Sequence, residues 1–208
     1  MSLSEPTMAA APRIDGDRLL ARLDALAQIG AIEGNGVCRL ALSDEDRQAR
    51  DQVVSWMRDL GLAVTIDGIG NVLGVRGGEA DGLPVTIGSH IDTVATGGRF
   101  DGNLGVLAGL EVVAALNDAG VTTRKPVAVA FFTNEEGARF APDMMGSGVH
   151  QGALDLKQML ATTGIDGTTV ADELARIGYA GAAPVGTFRA DSFIELHVEQ
   201  GPLLEHEG

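Results

Sequence analysis

The sequence predicts an α/β fold, a mainly parallel sheet sandwiched by helices, and three observations carry that expectation. Strand-like and helix-like segments alternate along the chain, which favours parallel strands joined through crossover helices. Residues 127–132, Val-Ala-Val-Ala-Phe-Phe, are apolar at every position, as a strand buried on both faces must be. Polar clusters directly follow the apolar runs, which is where open α/β sheets place their binding sites.

Each element has its own signal. Leu19, Leu20, Leu23, Leu26, Ala27 and Ile29 recur at helical spacing, with Asp15 or Asp17 as a cap and Gly30 as a stop. Ser43-Asp44-Glu45-Asp46 sets a hydroxyl three residues ahead of a carboxylate, as a capping box does. The helix it opens carries Val53, Val54, Met57 and Leu60 on one side and stops at Gly61. Two short β-like runs, 63–66 and 71–75, are joined through Asp67-Gly68-Ile69-Gly70 and read as a hairpin. After Pro84 come a short strand over 85–88, a helix over 104–116 closed near Gly120, and the buried strand 127–132. Helical patterns return at 154–161 and 169–177. Residues 191–198 read as a last strand, with no closing element after it. No internal repeat, low-complexity tract or clear interdomain linker is visible.

Composition narrows the function. A length of 208 residues suits one ordinary domain. With 15 Lys and Arg against 29 Asp and Glu the net charge is −14, which argues against a broad phosphate-binding footprint but not against cations. The 45% apolar and 21% charged content excludes wholesale disorder. The 29 glycines have no collagen period, so they serve turns and close backbone approaches. A single cysteine, Cys38, allows no internal disulfide, fits a reducing compartment, and reads as a buried small hydrophobe. Residues 1–12 lack the basic and apolar regions of a secretory signal, and the longest apolar run is too short for a bilayer. The expectation is a soluble cytoplasmic protein without nucleic acid or membrane as partner.

Four clusters carry residues able to do chemistry. In His90-Ile91-Asp92 an extended backbone points both polar side chains the same way. Asp92 then fixes the imidazole tautomer and leaves the other nitrogen free for a metal, although His-x-Asp also recurs by chance. Asp101, among glycines just before a helix, is either a ligand or a helix cap. Glu135 and Glu136 follow the buried strand and repel each other unless a cation or proton lies between them, or unless they form a plain solvated pair. His197 lies in or at the end of an apolar strand, as a ligand or a hydrogen-bonded core histidine. His150 and His206 read as surface residues. Taken together, His, Asp, Glu and His at four strand ends suit Zn or Mn better than Ca or Fe–S, and one carboxylate is able to bridge two such ions. Two rivals fail on context: Gly68-Ile69-Gly70 precedes a strand and not a helix, and no G-x-S-x-G elbow occurs.

Four stretches, GSHIDTVATGGRFDGNLGV (88–106), FFTNEEGARF (131–140), PDMMGSG (142–148) and ELHVEQGP (195–202), closely resemble the hydantoinase/carbamoylase branch of the M20 metallopeptidase-like amidohydrolases. The resemblance runs in order from about residue 15 to the last residue. It implies an M20-type zinc-hydrolase catalytic domain holding two divalent metal ions, Zn or Mn, with Co or Ni also accepted. By position, His90 and His197 would bind one ion, Glu136 the second, and Asp101 would bridge them. Glu135 would be the general base, Asp92 would orient His90, and Gln200 would contact substrate. Histidine at 197, where related peptidases carry a carboxylate, favours an amidase acting on a carbamoyl or ureido group over a peptidase or aminoacylase. Members of the family are about twice as long. The resemblance therefore implies that residues 1–208 form the N-terminal part of the catalytic domain. A lid through which the parent homodimerises, the last histidine ligand and a substrate-binding arginine would lie elsewhere. It also leaves open a non-catalytic metal-binding role for these residues alone.

Overall fold

The computed structural model describes residues 11–208; most of the 1–12 stretch weighed for a leader lies outside the described residues. Helix α1 (Gly16–Ala27) starts where Asp15 accepts the Arg18 backbone N–H, at 3.1 Å. A small antiparallel ribbon, β1 (Ala31–Ile32) and β2 (Gly36–Val37), follows, and neither strand has a sequence signal. Helix α2 (Asp44–Asp59) is capped by Ser43, whose hydroxyl accepts from the Asp46 backbone at 3.1 Å, as the capping box required. The hairpin β3 (Ala63–Ile66) and β4 (Val72–Arg76) is antiparallel in the expected place.

Strand β5 (Val85–His90) runs two residues further than its apolar stretch, and so carries His90 on the sheet itself. Helix α3 (Asn103–Asp118) then crosses to β6 (Val127–Phe132). Next come α4 (Met145–His150), α5 (Leu156–Leu160), α6 (Val170–Ile177), β7 (Ser192–Ile194) and α7 (Leu203–Glu207). Neither α4 nor α7 was anticipated; α4 begins at Met144 with a left-handed backbone and carries two glycines, so no helical period shows.

The main sheet has strand order β3-β4-β6-β5-β7. Strand β5 is parallel to β6 and to β7, whereas β4 is antiparallel to both its neighbours, so β4 alone runs against the others. Period-two alternation splits β6 between two cores. Val129 and Phe131 join the large core with Leu23 and Leu26 of α1, Val53 and Met57 of α2, and Leu110 and Val113 of α3. Ala128 and Ala130 face the other way, with Leu73 and Phe188. The parallel register sets His90 level with Phe132, so the loops leaving β5 and β6 emerge side by side.

The expected strand over 191–198 is corrected to the three residues of β7. Pairing with β5 stops at Ile87 opposite Ile194, and all three β7 residues are exposed. Phe193, Ile194 and Leu196 are 46%, 53% and 49% exposed, so little apolar packing holds this segment straight, although Phe193 meets the Phe132 ring. His197 therefore lies beyond the strand, in extended loop. Among the described residues, no helix is long and apolar enough to cross a membrane. Cys38 is half-buried rather than enclosed.

Candidate metal centre

Two loops, at the ends of β5 and β6, and one segment after β7 build the site. His90 ends β5, and its side chain is 2% exposed. Its Nδ1 lies 3.0 Å from the backbone carbonyl of Asp92. A carbonyl only accepts, so Nδ1 carries a proton, and in the neutral ring the Nε2 lone pair is turned towards Asp101. The Asp92 carboxylate lies 3.9 Å from that ring and has a further contact that its spacing did not show. It accepts the backbone N–H groups of Glu135 and Glu136, each at 3.2 Å, and so fixes the loop after β6 against the loop after β5. Burial pushes the Asp92 carboxyl up to about 6, against the pull of His90.

Asp101 is not a cap. Gly102 holds the N-cap position of α3, and Asp101 Oδ1 is shielded from solvent without a hydrogen-bond partner. It stands 3.8 Å from His90 Nε2 and 3.2 Å from His197 Nε2. The His197 Nδ1 lies 2.9 Å from the Val198 carbonyl, so here too the free lone pair is on Nε2. One ligand atom each from His90, Asp101 and His197 thus falls within 4.8 Å of the others. Glu135 Oε2 comes within 3.5 Å of His90 Nε2, and its side chain is 35% exposed. Gln200 donates from its side-chain amide to Asp101 Oδ2. Glu136 stands outside this group of ligand atoms. Burial, against the pull of His90 and with Asp101, Asp92 and Glu135 nearby, raises its carboxyl above the ordinary range.

Two imidazole lone pairs converging on an orphaned carboxylate oxygen have no donor among them, and a cation resolves that conflict. The donor set, two nitrogens and one oxygen, is that of a zinc- or manganese-type site. Two glycines keep the space open. A Cβ at Gly102 would fall on the His90 ring at Nε2, and the backbone there has φ 65°, so the position excludes a side chain twice over. A Cβ at Gly105 would stand 2.7 Å from the Leu196 carbonyl and 2.9 Å from the Ser89 Cβ, so only glycine lets the His197 segment cross α3. The residues present fit a bound divalent cation. Beside them, a cavity of about 590 Å³ lined by Glu135, Ser89, Phe132 and His150 offers room for a small molecule.

Sequence reasoning missed two residues behind the site. Arg39 is wholly buried, and Asn103 bridges it to the Asp101 loop. The available signal was a lone arginine inside the apolar run from Val37 to Leu42.

The model of peptidase family M20/M25/M40 matches residues 86–208, which include every residue of the cluster. The chain belongs to the M20 family. This M20 chain is 45% identical over 196 residues to an N-carbamoyl-L-amino-acid amidohydrolase of Rhizobium meliloti, a match covering 94% of the chain and 47% of that protein. It is 35% identical to a ureidoglycolate hydrolase of Arabidopsis thaliana, over 97% of the chain and 44% of the relative. The crystal structure of a hydantoinase/carbamoylase family amidase from Burkholderia vietnamiensis superposes with a TM-score of 0.93 at 51% identity, over 96% of the chain and 49% of that structure. The chain spans about half the length of the curated relatives it matches.

Proposed function

We propose that the chain is the N-terminal part of the catalytic domain of an M20 amidohydrolase that hydrolyses a C–N bond of a carbamoyl or ureido group on a small carboxylic acid. The observation that carries this reading is the convergence of the His90 and His197 Nε2 lone pairs on Asp101 Oδ1, with Glu135 3.5 Å from the same imidazole. The names of the relatives, N-carbamoyl-L-amino-acid amidohydrolase and ureidoglycolate hydrolase, support that class of bond.

In this reading His90, His197 and Asp101 hold one divalent ion, Zn or Mn, with Co or Ni as alternatives. Glu136 would help to hold a second ion, with Asp101 shared between the two. Ions bound there would polarise the substrate carbonyl and acidify water. Glu135 takes the proton from attacking water and returns it to the departing nitrogen, a shuttle its half-exposed carboxyl at the cavity wall is placed to make. Asp92 would orient His90, and it holds the Glu135 and Glu136 backbone N–H groups beside the cavity that Glu135 lines. Gln200 contacts substrate once the Asp101 oxygen it now donates to is taken up by an ion. The remaining ligand, an arginine for the substrate carboxylate and the lid that makes the parent a homodimer belong to the half of the relatives' length that these residues do not span.

Two measurements test the proposal. The 208-residue chain should bind Zn(II) or Co(II), and a chain extended to the relatives' length should release ammonia from N-carbamoyl amino acids or ureido acids while leaving dipeptides and acyl amino acids intact. Preferential cleavage of dipeptides would replace the amidase reading with that of a peptidase. Turnover surviving Glu135→Gln in the extended chain would remove the base assignment.

A further inference from the structure

Arg39 has no part in the reading above, yet its side chain is the most completely enclosed charge near the cluster, at 0% exposure. Among the described residues its four side-chain hydrogen bonds all go to neutral oxygens. Nε donates to the Ile91 carbonyl at 2.8 Å, and Nη1 to the Leu26 and Ile29 carbonyls at 3.1 and 2.8 Å. Nη2 donates to Asn103 Oδ1 at 2.8 Å. Arg50, equally buried, has the partner expected of a core arginine, Asp46 at 2.8 Å. Asp46 and Asp92 act on Arg39 only through space, and burial outweighs their pull, so a guanidinium hydrogen-bonded to neutral oxygens alone is a costly way of filling a core.

That geometry ties three pieces of backbone together. The Leu26 and Ile29 carbonyls, at the end of α1, are the anchor. Ile91 separates His90 from Asp92, and the same loop is gripped again through Thr93, whose hydroxyl accepts the Arg39 N–H at 2.8 Å and whose N–H reaches the Arg39 carbonyl at 2.9 Å. Asn103 passes the contact on, its amide donating to the Asp101 carbonyl at 3.0 Å and the Arg99 carbonyl at 3.4 Å. His90, at the end of β5, and Asp101, at the far end of the connection from β5 to α3, are thus held at a spacing set by one rigid fork. The planar five-donor guanidinium spans three directions at once, which the single ammonium of lysine does not.

We propose that Arg39, acting through Ile91, Thr93 and Asn103, is a positioning residue that sets the separation of the His90 and Asp101 ligand atoms and so the metal affinity of the centre. The inference rests on the metal reading of the cluster.

The test uses the 208-residue chain titrated with Co(II), followed by its visible absorption bands, alongside urea unfolding of each metal-free variant. Arg39→Met should bind Co(II) about tenfold or more weakly, with altered band intensities, the scale seen when residues behind metal ligands are lost. Arg39→Lys keeps the charge without the fork and should recover the unfolding midpoint better than the Co(II) affinity. Met57→Ala, a core truncation in α2 away from the cluster, should lower the unfolding midpoint while holding Co(II) affinity to within about twofold of wild type. Should Arg39→Met fail to fold, Asn103→Ala cuts only the arm to Asp101 and should still weaken Co(II) severalfold. Wild-type affinity in Arg39→Met or, where that variant does not fold, in Asn103→Ala would overturn the inference alone, as would an equal loss in Met57→Ala. Absence of Co(II) binding by the wild-type chain would overturn the metal reading and the inference with it.

Discussion

His90 and His197 offer the same nitrogen to the same carboxylate oxygen, yet the molecule holds them in opposite ways. The His90 side chain is 2% exposed at the end of a strand paired on both sides, and the loops around it are stitched by Asp92, Thr93, Arg39 and Asn103. The His197 side chain is 30% exposed, on a segment whose strand pairs for three residues. That segment is fixed by a few polar contacts: Asp191 N–H to the Pro84 carbonyl, Ser89 to Glu195, and Gln200 to Asp101. The buried arm is built when the core forms. The exposed arm is drawn into place by the site itself, and segments with so few buried contacts open at low free energy.

The largest effect should come from the one residue both arms share. Asp101→Ala is expected to weaken Zn(II) or Co(II) binding by more than about a hundredfold, beyond the range for outer residues, as read by metal analysis after gel filtration. If the loss is small, the two arms do not meet on Asp101 and the comparison breaks. Next, the two histidines should separate in stability. His90→Ala should lower the unfolding free energy by about 1–3 kcal/mol, whereas His197→Ala should stay within about 0.5 kcal/mol in urea titrations, although both lose metal. Equal destabilisation would make the exposed arm as integral to the fold as the buried one.

A third prediction targets the crossing point alone. Gly105→Ala should displace the His197 segment and weaken metal about tenfold, leaving the helical circular dichroism unchanged, because alanine is otherwise the better helix former. Hydrogen exchange at 195–198 should rise in the same variant. The smallest effect lies in a third region, the ion network of Arg139, Asp166, Glu173 and Arg176, which fastens α6. Hydrogen bonding from Arg176 and, against the opposing effect of burial, from Arg139 depresses the Glu173 carboxyl below its ordinary 4.5. A depressed carboxyl contributes stability above the unfolded value and loses it as pH falls through the folded one. The advantage of wild type over Glu173→Gln, measured by urea unfolding, should therefore hold at neutral pH and shrink below pH 4.5, with Co(II) affinity untouched.

Patterned elements could be read directly. The α2 cap at Ser43, the hairpin and the β6 run each follow from local rules, and the structure has them within a residue or two. The elements that escaped are those whose cause is not local. Strand β7 ends early because Phe193 and Leu196 stay about half exposed, and α4 forms because the carbonyls of Thr133, Asn134 and Glu135 receive the N–H groups of Gly146, Met145 and Met144. Within the cluster, the residue types and their order were legible, and His90, Asp101 and His197 do come together. The second contact of Asp92 was not, because its carboxylate also serves a loop forty residues away. Nor was Arg39, whose partners lie on three separate segments.

The position of β7 also has a consequence in time. Strand β5 has its partner β6 within about forty residues, but its other edge waits for Ser192–Ile194, more than a hundred residues later. At about 5–20 residues per second a ribosome needs roughly 5–20 s to deliver that stretch. For that interval the nascent chain carries an open edge beside His90, and an open edge recruits other strands. Synthesis rate and chaperone capture should therefore govern the yield of this chain more than its final stability does.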